Sequence, residues 1–290
     1  MIVMTEADVL PPPRQASSRE GVLKSEGWKV SKFNSHWVVS PDGELAYSKL
    51  IRSDIKGAID SLMAYRFAEK AGFSLPKIRF YSYRYQKSNP QYISVSPVLG
   101  EDQETIADFW SRDLCKPVNT EKAKAQVSES LSYNLALAKF LGWKDLHSKN
   151  IIVASWTGEN GKKTYGTHFI DCEFLDYFAR INPRWPFRKE KRDKHKTFHL
   201  DKEMYALGVE AIKNNITDED IESIVDGVFK YFSYNDSRYK ESIIRRLKLS
   251  RRTLIAKQDF KSAGRKILGL NRQSKRPPES IPAYNKVNSL

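Results

Sequence analysis

The sequence predicts an α+β fold in two parts: a small antiparallel sheet carrying one helix, then a mainly helical region. Three features point there. Segments rich in aromatic and β-branched residues cluster before residue 100, one helical stripe interrupts them, and long amphipathic stretches follow residue 120.

Residues 1–20 carry Pro11-Pro12-Pro13, scattered Ser and no apolar period, the composition of a disordered lead. Gly27 to Ile51 is β-rich. His36-Trp37-Val38-Val39 and Leu45-Ala46-Tyr47-Ser48-Lys49-Leu50-Ile51 flank Pro41-Asp42-Gly43, and Asp-Gly between two apolar runs signals a hairpin. Ile55 to Ala71 reads as a helix, because Ile59, Leu62, Met63, Phe67 and Ala68 share one face and Gly72 stops it. Pro76 opens an extended segment from Ile78 to Tyr85, and Tyr92 to Val98 follows as another strand. The sheet pattern ends near Ser96 to Gly100. The expected division is therefore a first lobe over 21–98, a second over 99–260 and a basic, flexible tail over 261–290.

In the second lobe, Glu121 to Leu141 keeps Val127, Leu131, Leu135, Ala138 and Leu141 on one helical face. Asn150 to Ser155 and Tyr165 to Asp171 are apolar runs joined by Thr157-Gly158-Glu159-Asn160-Gly161, a hairpin turn. Three helices follow over 201–213, 218–232 and 238–256. Thr217 caps the middle one, ahead of Asp218, Glu219 and Asp220, which suit the positive end of its dipole.

The chain has 290 residues, 40% hydrophobic and 29% charged, as in a soluble globular protein. No apolar run approaches the ~18 residues of a membrane span. Met1 to Thr5 lack the basic flank and apolar stretch of a secretory signal. Two distant cysteines, Cys115 and Cys172, give neither a disulfide framework nor a Cys-based zinc site, so the expected compartment is reducing and cytoplasmic. The net charge is +14, and residues 184–290 supply most of it, with 25 Lys/Arg against 14 Asp/Glu. Such a surface draws nucleic acid, anionic lipid or an acidic partner.

The chemistry concentrates in Lys144-Asp145-Leu146-His147-Ser148-Lys149-Asn150, between a long helix and an apolar strand. An Asp five residues before an Asn on such a loop is a phosphoryl-transfer arrangement: the Asp orients the acceptor hydroxyl and takes its proton, and the Asn reaches Mg²⁺. Asp171, ending the second hairpin strand, supplies a carboxylate for the same ion, and the hairpin brings it to the end where Asn150 stands. Lys49 comes from the strand before the first helix, where a kinase places the lysine that grips nucleotide phosphates.

These motifs resemble the protein-kinase-like superfamily in its atypical branch. Asp145-Leu146-His147-Ser148-Lys149-Asn150 is similar to the Asp-x-His-x-Lys-Asn loop of HipA-like kinases and to the Asp-Leu-His-x-x-Asn loop of aminoglycoside, choline and lipopolysaccharide kinases. Ile170-Asp171-Cys172-Glu173-Phe174 resembles the Ile-Asp-x-Glu segment of the small-molecule kinases, and Asp60 to Pro76 resembles the helix and following loop of HipA-like N-lobes. The resemblance implies a two-lobed kinase-like fold and a kinase using ATP and Mg²⁺. In it Asp145 and Lys149 are catalytic, Lys49, Asp60, Ser96 and Val98 bind nucleotide, and Asn150, Asp171 and Glu173 face the metal. Val95 to Val98 would meet the adenine ring through backbone groups. No Gly-x-Gly-x-x-Gly precedes Lys49, so the phosphate loop falls to Ser31 to Ser35.

The expected acceptor is a protein Ser/Thr hydroxyl. The alternatives are a small-molecule, sugar or lipopolysaccharide kinase, and a non-catalytic pseudokinase or nucleic-acid-binding module. Blander roles go to His147 as a packed loop histidine, Cys172 as apolar filling, and His195 and His199, whose zinc spacing lacks a third ligand. The basic, aromatic-interleaved run Arg184 to Lys202 is expected to dock an acidic substrate, with single-stranded nucleic acid as its rival.

Overall fold

The computed structural model describes residues 10, 12–31, 36–51, 55–86, 89–111, 120–143, 150–170 and 200–257. Its first half is a six-stranded sheet, built from β1 (Arg14–Gln15), β2 (Lys29–Val30), β3 (Trp37–Val39), β4 (Leu45–Ile51), β5 (Arg79–Arg84) and β6 (Gln91–Pro97). The spatial order is β1-β5-β6-β4-β3-β2, antiparallel except where β1 runs parallel to β5. The β3–β4 hairpin turns where Asp-Gly predicts it. Gly43, at φ 88°, donates its N–H to the Ser40 carbonyl at 3.0 Å, a left-handed position that glycine takes without strain.

Part of the segment 1–20 is described and carries secondary structure. Arg14–Gln15 form β1, and Ser18 accepts the Gly21 N–H to cap α1 (Arg19–Ser25). The sequence signal is thin there because two ladder residues carry no period, and α1 is anchored by only two buried apolar side chains. These are Val22 and Leu23, which cover one side of the sheet with Trp28, Val38, Ala46, Tyr83, Ile93 and Val95, forming a small second core.

The opposite side carries α2 (Ile55–Ala71), and there the larger core begins. Met63, Phe67 and Ala68 of α2 join Phe80 and Tyr92 of the sheet and Leu131, Leu135 and Phe140 of α4 (Thr120–Leu141). That core continues through α5 (Lys202–Asn215), α6 (Asp218–Tyr231) and α7 (Ser237–Lys257). Removing a large apolar side chain from it costs about 2–5 kcal/mol. The Phe67 ring meets Phe140 edge-on at 5.3 Å, and Lys70 pairs with Asp220 at 2.9 Å. Asn215 donates to the Ala71 carbonyl, and Lys56 lies over the Tyr239 ring. The helical region thus touches α2 along its whole length.

A three-stranded sheet stands within the second half: β7 (Asp102–Thr105), β8 (Ile151–Thr157) and β9 (Lys163–Phe169), in that order and antiparallel. The β8–β9 hairpin is as expected. β7, and the short α3 (Ile106–Ser111) after it, escape sequence reading because Asp102-Gln103-Glu104-Thr105 has no apolar alternation. At Gly208, α5 lies so close to α4 that a Cβ would stand 2.5 Å from the Tyr133 carbonyl oxygen. Among the described residues no helix is long and apolar enough to cross a membrane. Along α6 and α7, Asp218 pairs with Arg252 at 2.6 Å, Glu222 with Lys248 and Asp226 with Lys240 at 2.9 Å.

Candidate active site

Strand alternation settles which way Lys49 faces. Ile51 joins the larger core beside α2, whereas Ala46 and Leu50 join the smaller core under α1. Tyr47 and Lys49, in phase with Ile51, therefore share the α2 face. On that face Lys49 stands opposite Ser94, and Tyr47 stands between Trp37 on β3 and Ser96 on β6. The face is covered at Ile51 and open at Tyr47, which is 39% exposed although β4 is an interior strand. His36 stacks on the Tyr47 ring at 5.5 Å and Trp37 meets it edge-on.

Asp60 is completely buried on α2. Its carboxylate acts on Arg246 of α7: burial pulls the guanidinium down to about 9, and the negative charge of Asp60 opposes that fall. Val98 donates its N–H to the Leu45 carbonyl at 3.0 Å, and in the same ladder phase Ser96 pairs with Tyr47. The backbones of Ser96 and Val98 are thus turned toward β4. The intervening Pro97 carbonyl turns the other way.

At the open end of the hairpin, Asn150 is 6% exposed and its carbonyl accepts the Ile170 N–H at 2.9 Å. That bond extends the β8–β9 register by one rung. Among the described residues the outer edge of β9 has no strand beside it; α4 supplies the partners instead. Gln126 accepts the Tyr165 N–H at 3.2 Å, Ser130 accepts the Thr167 N–H at 2.8 Å, and Asn134 donates to the Thr167 carbonyl at 2.7 Å. Steps of four residues on a helix, about 6 Å, keep pace with steps of two on a strand, about 6.8 Å. His168, opposite Ile152 of β8, is 2% exposed, and burial lowers its imidazole to about 4.

Of the expected site residues, Lys49 and Ser96 share one sheet region, Asp60 is on the adjacent helix, Val98 follows β6 and Asn150 ends the hairpin. Asp145, Lys149, Asp171 and Glu173 lie outside the described residues. So do residues 32–35 of the expected phosphate loop, His147, Cys172 and residues 184–199 of the basic run. Among the described residues no three His, Cys, Asp or Glu side chains converge on a metal position. Sequence reasoning missed Tyr47, Trp37, Asn134 and Arg246. The first was legible, since it stands two residues before Lys49 in an alternating strand; the other three acquire meaning only through tertiary pairing.

No protein-family model matches the chain, and no curated protein matches it. Among solved structures it is similar to the crystal structure of a Helicobacter pylori proinflammatory kinase, CtkA, at 13% identity and a TM-score of 0.49, covering 81% of this chain and 96% of that one. It is also similar to WaaP in complex with acyl carrier protein, at 11% identity and a TM-score of 0.35, covering 88% of this chain and 93% of that one.

Proposed function

We propose that the chain is an ATP- and magnesium-dependent kinase that transfers the γ-phosphoryl group to a protein Ser/Thr hydroxyl. The observation that carries this reading is the placement of Lys49: on the α2 face of an interior strand, in register with β6, beside an open stretch of sheet. A cation on that face suits nucleotide phosphates.

In this reading the base lies under Tyr47 and Trp37, and the strand leaving β6 supplies its hydrogen bonds. Val98 N–H and the Ser96 backbone already serve β4. The base therefore falls to the next groups, Pro97 C=O and Leu99 N–H. Asp60 acts on the site through the electrostatics of α2 and α7, with Arg246 as a cation it answers to. Asn150, Asp171 and Glu173 would hold Mg²⁺, which would neutralise phosphate charge. Asp145 orients the acceptor hydroxyl and takes its proton, while Lys149 neutralises the transferred group. Positioning and charge complementarity supply the rate. A nucleic-acid reading loses ground at α7, whose Lys240, Lys248 and Arg252 are engaged by acids of α6.

The test is nucleotide-induced thermal stabilisation with and without Mg²⁺, followed by incubation with labelled ATP and a cell lysate read by mass spectrometry. ATP at one hundred times its dissociation constant should stabilise the fold by about 2.7 kcal/mol. Stabilisation by oligonucleotides but not by Mg²⁺–ATP would reject the kinase in favour of a nucleic-acid-binding module.

A further inference from the structure

An edge strand leaves every second N–H and C=O unpaired, and among the described residues β9 is such an edge. Three side chains at four-residue spacing on α4, Gln126, Ser130 and Asn134, take up those groups at Tyr165 and Thr167. Ser130 also reaches the Thr167 hydroxyl at 3.1 Å, and Asn134 does so at 3.3 Å. Asn134 is 4% exposed and Thr167 3% exposed, so these bonds form away from water. Buried polar groups of this kind fix geometry, because any displacement leaves donors and acceptors unsatisfied.

The ladder has a direction. It tightens from Gln126 toward Asn134, that is, toward the hairpin end where Ile170 N–H holds the Asn150 carbonyl. Thr167, its last rung, lies three residues before Ile170. Moving β9 along or away from α4 would carry Ile170 with it, and Asn150 through the closing bond. We infer that Ser130 and Asn134 are positioning residues for the metal-nucleotide site, setting the place of Asn150 by clamping the outer edge of β9 to α4. The inference rests on the proposed kinase reading, in which Asn150 faces Mg²⁺.

Residues that orient a metal ligand from behind affect metal affinity about 10–100-fold. The experiment measures ADP binding by the full chain over a Mg²⁺ series and again in EDTA. Asn134→Leu, which keeps size but deletes the donor to Thr167, should raise the Mg²⁺ requirement about tenfold and leave metal-free ADP binding unchanged. Asn150→Ala should raise it at least as far. Because Asn134 acts through Asn150, the double variant should match Asn150→Ala alone. Ser130→Ala, a smaller change, should shift the requirement the same way, and it carries the test if Asn134→Leu does not fold.

Lowered melting temperature with an unaltered Mg²⁺ requirement would make the ladder a stabilising device only and overturn the inference. So would additive effects in the double variant. If the unaltered chain binds no Mg²⁺–ADP, the kinase reading itself fails. If Mg²⁺–ADP binds but Asn150→Ala changes nothing, the assignment of Asn150 falls, and the inference with it.

Discussion

The Lys70 ammonium stands 2.9 Å from the Asp220 carboxylate and so fastens the last turn of α2 to the first turn of α6. Asp220 does a second job there. It accepts the Thr217 N–H at 2.9 Å while its own N–H is taken by the Thr217 hydroxyl, completing a capping box. Burial pushes its carboxyl upward, but the Thr217 N–H and Lys70 outweigh that and hold it below the ordinary value. Asp220→Ala is expected to cost about 1–2 kcal/mol in urea unfolding, more than Lys70→Ala, which removes only the partly exposed ion pair. With the carboxyl lowered in the folded state, this contribution is full above the ordinary Asp range and is lost as pH falls through the folded value.

Asp145→Asn should abolish phosphoryl transfer while Mg²⁺–nucleotide binding persists, because the proton acceptor goes but the shape stays. Asp171→Ala should instead weaken Mg²⁺–nucleotide binding, since it deletes a metal carboxylate. Calorimetry beside a turnover assay separates the two. Wild-type turnover in both variants would reject the site.

Tyr47→Ala should weaken ADP binding by about 1–3 kcal/mol, the worth of one aromatic–base stack, and leave tripolyphosphate binding unchanged. Tyr47→Phe should bind ADP as the unaltered protein does. Equal losses for ADP and tripolyphosphate would mean that the ring supports the sheet and not the base.

Much of this was readable in the chain, and the reasons are local. The α2 stripe, the Asp-Gly turn and the Thr217 cap each carry their signal within a few residues, and each is where the sequence puts it. β1 and β7 are short polar pieces whose strand character comes from pairing with β5 and β8. Their sequences alone hold no period to detect. Among the candidate site residues, Lys49 and Asn150 stand out in the sequence because each flanks a strongly patterned element. The role of Arg246 was not, since it answers to a carboxylate at Asp60 on a different helix. The ladder on α4 was hidden for another reason: Gln126, Ser130 and Asn134 look like the ordinary polar side of an amphipathic helix until β9 is laid against them.

His168 predicts a pH profile. Its imidazole is lowered to about 4 in the folded protein, against 6.5 ordinarily, so between those values the unfolded chain binds more protons. Stability should therefore be complete above the ordinary value and fall as pH drops from 6.5 toward 4, by about 3 kcal/mol at the lower end. Unfolding of His168→Met across that window should show a shallower pH slope than the unaltered chain, whatever its absolute stability. Parallel slopes would remove His168 as the cause.

For the basic run, reversing Arg188, Lys189, Lys191 and Arg192 to Glu should raise the KM for an acidic protein substrate and hardly move that for ATP. The difference should shrink as salt rises, because exposed charges act over about 8–10 Å at physiological ionic strength. If oligonucleotide affinity falls instead, with a slope in log salt, the run serves nucleic acid.

The grip on α2 decides which parts of the molecule are free to travel. With Lys56, Phe67, Lys70 and Ala71 each engaged by a different element of the helical region, α2 is anchored bedrock. Swinging α2 outward would mean tearing open the main core. By contrast, β2 and β3 extend only two and three residues and finish the sheet on its outer side. Amides of α2 should therefore exchange with solvent as slowly as those of α4, and those of β2 and β3 far faster.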